Sequence, residues 1–227
     1  MKLYSILLFA LVAIGFYSCS PKPTQPVAQE NVKYYRNLLF SETSWDLEKG
    51  SREITAEQAK TINNYKITYN ENNQIVSVEY NRNDSLLDYS SMGVAKAVYS
   101  YEGDKQVKRF FDAKNAPAKD DGVSIFEYTL DSTGMRVALR FLDEAGQPVE
   151  NRNKIHNYVW AEMPDGMIQE KRYNLAGEMV IMNPFCPFYE LRFTYDANGY
   201  VTRMANYDND TLYNCTAENC GEVGVSY

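Results

Sequence analysis

The chain holds a single histidine and four cysteines, and it contains no HExxH, GxGxxG or GxxxxGK[ST] pattern. A Ser/His/Asp or Cys/His mechanism would therefore have to use His156 as its only imidazole base. That residue stands in Lys154-Ile155-His156-Asn157-Tyr158, at the start of a predicted strand, where a strand-edge histidine is the ordinary reading. No paired CxxC completes a tetrahedral zinc set, and His156 is remote from the cysteines. Asp208-Asn209-Asp210 offers hard oxygens but lacks the glycine and distal glutamate of a calcium loop. Asp120 and Asp121 are adjacent, so on a strand they would face opposite ways and not converge on one bond. Glu218 and Glu222 carry no stronger sign of acid–base work. Basic residues are outnumbered, 23 against 30 acidic, for a net charge of −7. That leaves no basic stripe for nucleic acid. The expectation is a non-enzymatic protein with no cofactor, no metal and no nucleic-acid partner.

Long apolar runs are also missing after the first segment, so no later span of a membrane is expected. The first segment itself is informative. Lys2 precedes an apolar stretch from Leu3 to Tyr17, ending at Ser18-Cys19. About 15 apolar residues fall short of the about 20 that span a bilayer, and match the core of a secretory signal. A cysteine directly after a small residue at the end of such a run resembles the lipobox of bacterial lipoproteins. The resemblance implies cleavage after residue 18, acylation of Cys19 and attachment to a membrane, with Phe16-Tyr17-Ser18 departing from the usual Leu, small residue, Gly or Ala. Ser20 after the cysteine resembles lipoproteins sent to the outer membrane of the cell envelope. The remaining cysteines are Cys186, Cys215 and Cys220. A local disulfide between Cys215 and Cys220 is one option, and stapling of the tail by Cys186 is another.

Residues 19–31, with three prolines between Ser20 and Glu30, read as the lipidated cysteine and a disordered tether. Residues 32–64 read as a short helical segment. Val32, Tyr35, Leu38 and Leu39 stand near helical spacing, and Thr55-Ala56-Glu57-Gln58 fits a capping box that starts a helix running to about Ile62.

From residue 65 to 212 the period changes to two. Tyr65, Ile67 and Tyr69 alternate with polar residues, a turn-rich stretch follows, and then Val76, Val78 and Tyr80 alternate. The unit recurs. Glu79-Tyr80, Arg109-Phe110, Arg140-Phe141 and Arg172-Tyr173 place a charge before an aromatic, with the aromatics 30, 31 and 32 residues apart, and Arg203 marks a fifth copy. Turns such as Asp131-Ser132-Thr133-Gly134 and Asp196-Ala197-Asn198-Gly199 flank these pairs. The chain's 19 tyrosines and 10 phenylalanines suit half-exposed sheet faces. The expected fold is mainly β, a repeat-built antiparallel meander of about ten strands, open or partly rolled. A closed up-and-down barrel is the alternative. Residues 213–227 form a cysteine-containing tail.

Segments such as Phe193-Thr194-Tyr195-Asp196-Ala197-Asn198-Gly199-Tyr200-Val201 resemble YD-type β-hairpin repeats of bacterial surface proteins, and are similar to MORN-class repeats. Asp84-Ser85-Leu86 and Asp210-Thr211-Leu212 resemble the O-glycosylation sites of Bacteroidetes exported proteins, which would modify Ser85 and Thr211. Arg109, Arg140, Arg172 and Arg203 would align as a ladder on one sheet face. They would either hold an anionic glycan or protein partner by forked hydrogen bonds, or pair with acidic neighbours across strands. The function expected is a lipid-anchored envelope protein presenting a β surface to a glycan or envelope protein, with a lipocalin-like small-molecule carrier as the alternative.

Overall fold

The computed structural model describes residues 31–41, 43–88, 90–181, 189–208, 210–212 and 222–224. Each repeat unit builds a hairpin whose return strand is followed by a short fold-back. The first is β3 (Asn64–Tyr69) and β4 (Ile75–Arg82) with β5 (Ser85–Leu86), and the second is β6 (Lys96–Glu102) and β7 (Lys105–Phe111) with β8 (Pro117–Ala118). Then come β9 (Ile125–Leu130) with β10 (Arg136–Leu142), and β11 (Asn157–Glu162) with β12 (Ile168–Tyr173). Their fold-backs are single bridges, Leu142 to Pro148 and Tyr173 to Met179. The fifth unit is β13 (Glu190–Tyr195) and β14 (Val201–Asp208) with β15 (Thr211–Leu212).

These ten hairpin strands are those the alternation predicts. They join one antiparallel sheet whose path runs from β15 back to β3, then to β1 (Asn31–Leu38) and β2 (Gly50–Ile54). The path has two ends, so the sheet is open rather than a closed barrel. Within the tail, β16 (Glu222–Gly224) adds to β14.

The turns form for the expected reason. Asp131 Oδ1 accepts from the amides of Thr133 and Met135, and Asp196 Oδ1 from those of Asn198 and Tyr200. Gly134 and Gly199 sit at φ 86° and 74°, where a side chain would be strained.

The N-terminal segment departs from the helical reading. Residues 31–38 form strand β1, in which Tyr35 lies opposite Tyr65 of β3. The aromatic and β-branched side chains of Val32, Tyr34 and Tyr35 suit a pleated surface, and an unpaired sheet edge supplies ladder partners that an isolated short helix lacks. The capping box at Thr55 and Gln58 does form, with hydrogen bonds of 3.2 and 2.9 Å, but it starts only one turn, α1 (Ala56–Ala59). The chain must leave that turn early to enter β3 at Asn64, whose amide caps the carbonyls of Ala59 and Ile62.

One face of the sheet is apolar and carries the core. Phe110, Phe126, Phe141, Tyr158 and Trp160 run across it with ring centroids 4.7 to 5.8 Å apart. Phe110 and Phe141 are 2% exposed, while Arg109 and Arg140 face solvent, as the charge-aromatic alternation requires. The fourth unit reverses this. Arg172 is 1% exposed on the inner face and Tyr173 is only half-buried. Counted from the turn, Phe141 lies five residues after Arg136 and needs the bulge of β10 to face inward. Strand β12 pairs with β11 without a bulge, so Ile168, Glu170 and Arg172 take the inner positions.

Candidate functional site

The loop between β1 and β2, described at residues 39–41 and 43–49, lies as a strap across the inner face. Its base is closed by the Leu39 amide donating to the Lys49 carbonyl at 2.8 Å. Thr43 donates to Glu170 on β12, and Lys108 on β7 and Tyr99 on β6 both donate to Glu48. The Trp45 indole donates to the Arg136 carbonyl on β10 at 2.9 Å and its ring lies 4.9 Å from Tyr195 on β13. Lys49 reaches the Gly199 carbonyl in the β13–β14 turn. One short segment can touch strands this far apart in the sheet order only if the sheet curls around it.

Arg136 organises the centre. Its Nη1 donates to the carbonyls of Ser44, Trp45 and Asp46 at 3.1, 3.1 and 2.7 Å. Its Nε donates to Gln106 Oε1 at 2.8 Å, and the guanidinium stacks 3.7 Å over Tyr128. Near the start of each return strand one residue faces inward, the first of β4, β10, β12 and β14 and the second of β7, and these are Ile75, Arg136, Ile168, Val201 and Gln106, all buried. Three of the five units use an aliphatic residue there, and the second and third use a mutually bonded Gln and Arg.

The strap lies between two cavities, and Asp46, Leu47 and Glu48 line both. The smaller, about 260 Å³, is polar and carries Asp120, Glu170 and Lys108 on its wall. Burial opposes ionisation of Glu48, but Lys108, Arg136 and the hydrogen bonds from Lys108 and Tyr99 outweigh it and bring the carboxyl down to about 2. Burial instead wins at Asp46, Asp120 and Glu170, whose carboxyls are all raised. Glu170 Oε2 accepts from the Trp160 indole at 2.8 Å, while Oε1 lies 3.7 Å from Arg172 Nε.

The larger cavity, about 930 Å³, is a mouth at the turn end of the sheet, lined by residues from all five hairpins. Tyr35, Trp45, Tyr69, Tyr101, Tyr195 and Tyr200 supply its aromatic wall, and Asn73, Gln74 and Gln106 supply amides. Tyr101 is fixed by donating to the Ile75 carbonyl and accepting from Gln106, both at 2.9 Å. The aromatics fall here because the residue paired with the inward position of the return strand is Tyr in three units, Tyr69 opposite Ile75, Tyr101 opposite Gln106 and Tyr195 opposite Val201.

The expected arginine ladder does not form as a single face. Arg109 and Arg140 are exposed on the outer side, Arg203 is half-buried and Arg172 is inside. Arg140 pairs with Glu127, which also lies 3.5 Å from Lys105. Glu79 and Glu190 likewise each sit between two cations, so ion pairs occupy much of this face. Ser85 and Thr211 are exposed on the fold-back strands β5 and β15. His156 bonds the Val149 carbonyl at 2.9 Å and lines neither cavity. Asp121 lies 3.5 Å from Arg152, apart from the cavity that Asp120 lines, and Asp210 pairs with Arg192. Cys19, Cys186, Cys215 and Cys220 lie outside the described residues. Among the described residues no group of three His, Cys, Asp or Glu side chains is placed to hold a metal.

The residues that build this centre, the strap with Arg136, Glu48, Lys108 and Glu170, are not marked by any motif. Aligning the five units by their turns would have found Arg136, since a cation there breaks an aliphatic pattern. Comparison with protein-family models, curated proteins and solved structures gives no match for the chain.

Proposed function

We propose that the chain is a non-enzymatic, lipid-anchored protein of the outer membrane that holds a glycan in the mouth of its repeat-built sheet. One observation carries the reading. Five hairpin ends surround a cavity of about 930 Å³ whose wall combines tyrosine and tryptophan rings with side-chain amides. Sugar rings present apolar C–H faces and a rim of hydroxyls, and rigid amphipathic aromatics with a few placed polar groups match that surface. The anchoring half of the reading rests on the apolar leader that ends at Ser18-Cys19 and on the proline-rich stretch behind it. A small-molecule carrier would need a continuous apolar lumen. Here the strap crosses the interior and divides it into two cavities, which favours the open mouth over the carrier.

The test is a glycan array probed with the full chain and with Tyr101→Ala and Tyr195→Ala variants. Binding to a defined set of glycans that both variants lose supports the reading. Binding that survives both variants, or that moves to variants of Arg109 and Arg140, overturns it.

A further inference from the structure

We infer that Arg136 is a carboxylate receptor at the base of the mouth, and that the glycan bound there is acidic, bearing uronate-type carboxylates. This rests on the glycan reading above. Arg136 lines the mouth cavity and is 5% exposed. All the hydrogen-bond acceptors it reaches are neutral, one amide and three main-chain carbonyls, and Glu48 and Asp46 act on it only through the field, with no direct ion pair among the described residues. A buried guanidinium that no carboxylate meets directly is costly to keep, and three other units hold the aliphatic Ile75, Ile168 and Val201 at the equivalent place.

The hydrogen bonds are also unevenly shared. Nη1 carries three strap carbonyls while Nη2, shielded from water, has none. A guanidinium presents both nitrogens as a fork that fits a carboxylate with two parallel hydrogen bonds. The strap carbonyls of residues 44–46 thus stand in for such a group and use only one of its prongs. An incoming carboxylate shifts them and pairs with both nitrogens, while Tyr101, Tyr195 and Trp45 flank the sugar rings. Trp45, which sits on the strap and donates to the Arg136 carbonyl, reports the shift.

The full chain is titrated with oligosaccharides of galacturonate, mannuronate and glucuronate, each beside its neutral methyl ester, and indole fluorescence is followed. At least one free acid should bind tenfold or more tightly than its ester. Arg136→Ile, which copies the aliphatic residue of the neighbouring units, should bring the acid to the ester's level. Arg136→Lys should lose most of the preference, because a point charge cannot fork. Lys60→Ala, on the exposed turn of α1, should leave the preference intact. Equal binding of acid and ester overturns the inference but leaves the glycan reading standing. Retention of the preference by Arg136→Ile also overturns it, as does failure of every acid to bind. If Arg136→Ile does not fold, Arg136→Lys and the acid-to-ester ratio of the unaltered chain decide.

Discussion

Glu48 ties the strap to the sheet, and its charge should be visible in the acid limb of stability. The carboxylate accepts from Lys108 and Tyr99 and its side chain is 15% exposed. Its carboxyl falls from the ordinary 4.5 to about 2 because Lys108 and Arg136 outweigh the cost of burial. Each unit of depression corresponds to about 1.4 kcal/mol, so the ionised form contributes about 3 kcal/mol. A depressed carboxyl gives stability that is present above pH 4.5 and is lost as the pH falls toward 2. Asp46, Asp120 and Glu170 act with the opposite sign, since their raised values favour the folded state at low pH. The wild-type curve therefore mixes both effects, and Glu48→Gln separates them. Urea unfolding followed by the fluorescence of Trp45 and Trp160 should give a difference of about 3 kcal/mol between wild type and variant near pH 6. That difference should shrink toward zero as the pH approaches 2. A difference that stays constant from pH 6 to 2 would refute the assignment of this ion pair.

Three further outcomes follow from packing and from the leader. Phe141→Ala, at 2% exposure and between Phe126 and Tyr158, should lower stability by about 3–5 kcal/mol in chemical unfolding, while Arg140→Ala beside it should change it by about 0.5 kcal/mol or less. A Cβ at Gly50 would run into the Tyr35 ring, so Gly50→Ala should cost about 1–3 kcal/mol and lower the melting temperature. Cys19→Ala should abolish acyl labelling and move the protein from the membrane to the soluble fraction, and unchanged labelling would remove the anchor from the proposal.

The hairpins were legible because period-two alternation and Asx-Gly turns are local chemistry. Tyr65, Ile67 and Tyr69 face inward wherever the strand ends up, and Asp131 closes its turn with its own neighbours. Long-range geometry was not legible. Residues 31–38 carry helical spacing in isolation and become a strand because the edge of β3 is there to pair with. Arg172 and Tyr173 exchange faces relative to Arg140 and Phe141 because one strand has a bulge and the other does not, and no residue type announces that difference. The strap is the clearest case. Nothing between Leu39 and Lys49 signals that Thr43 meets Glu170 or that Ser44 meets Arg136, since these contacts span more than 90 residues and exist only once the sheet has curled.

The location of the ligand is best tested by hydrogen–deuterium exchange of the full chain, with and without the tightest-binding saccharide from the array. Protection is expected in the strap at residues 39–49 and at the hairpin ends 101–106, 130–136 and 195–201, with the outer ion-pair face unchanged. Protection confined to the outer face around Arg109 and Arg140, with the strap and the hairpin ends unaltered, would contradict a ligand in the mouth.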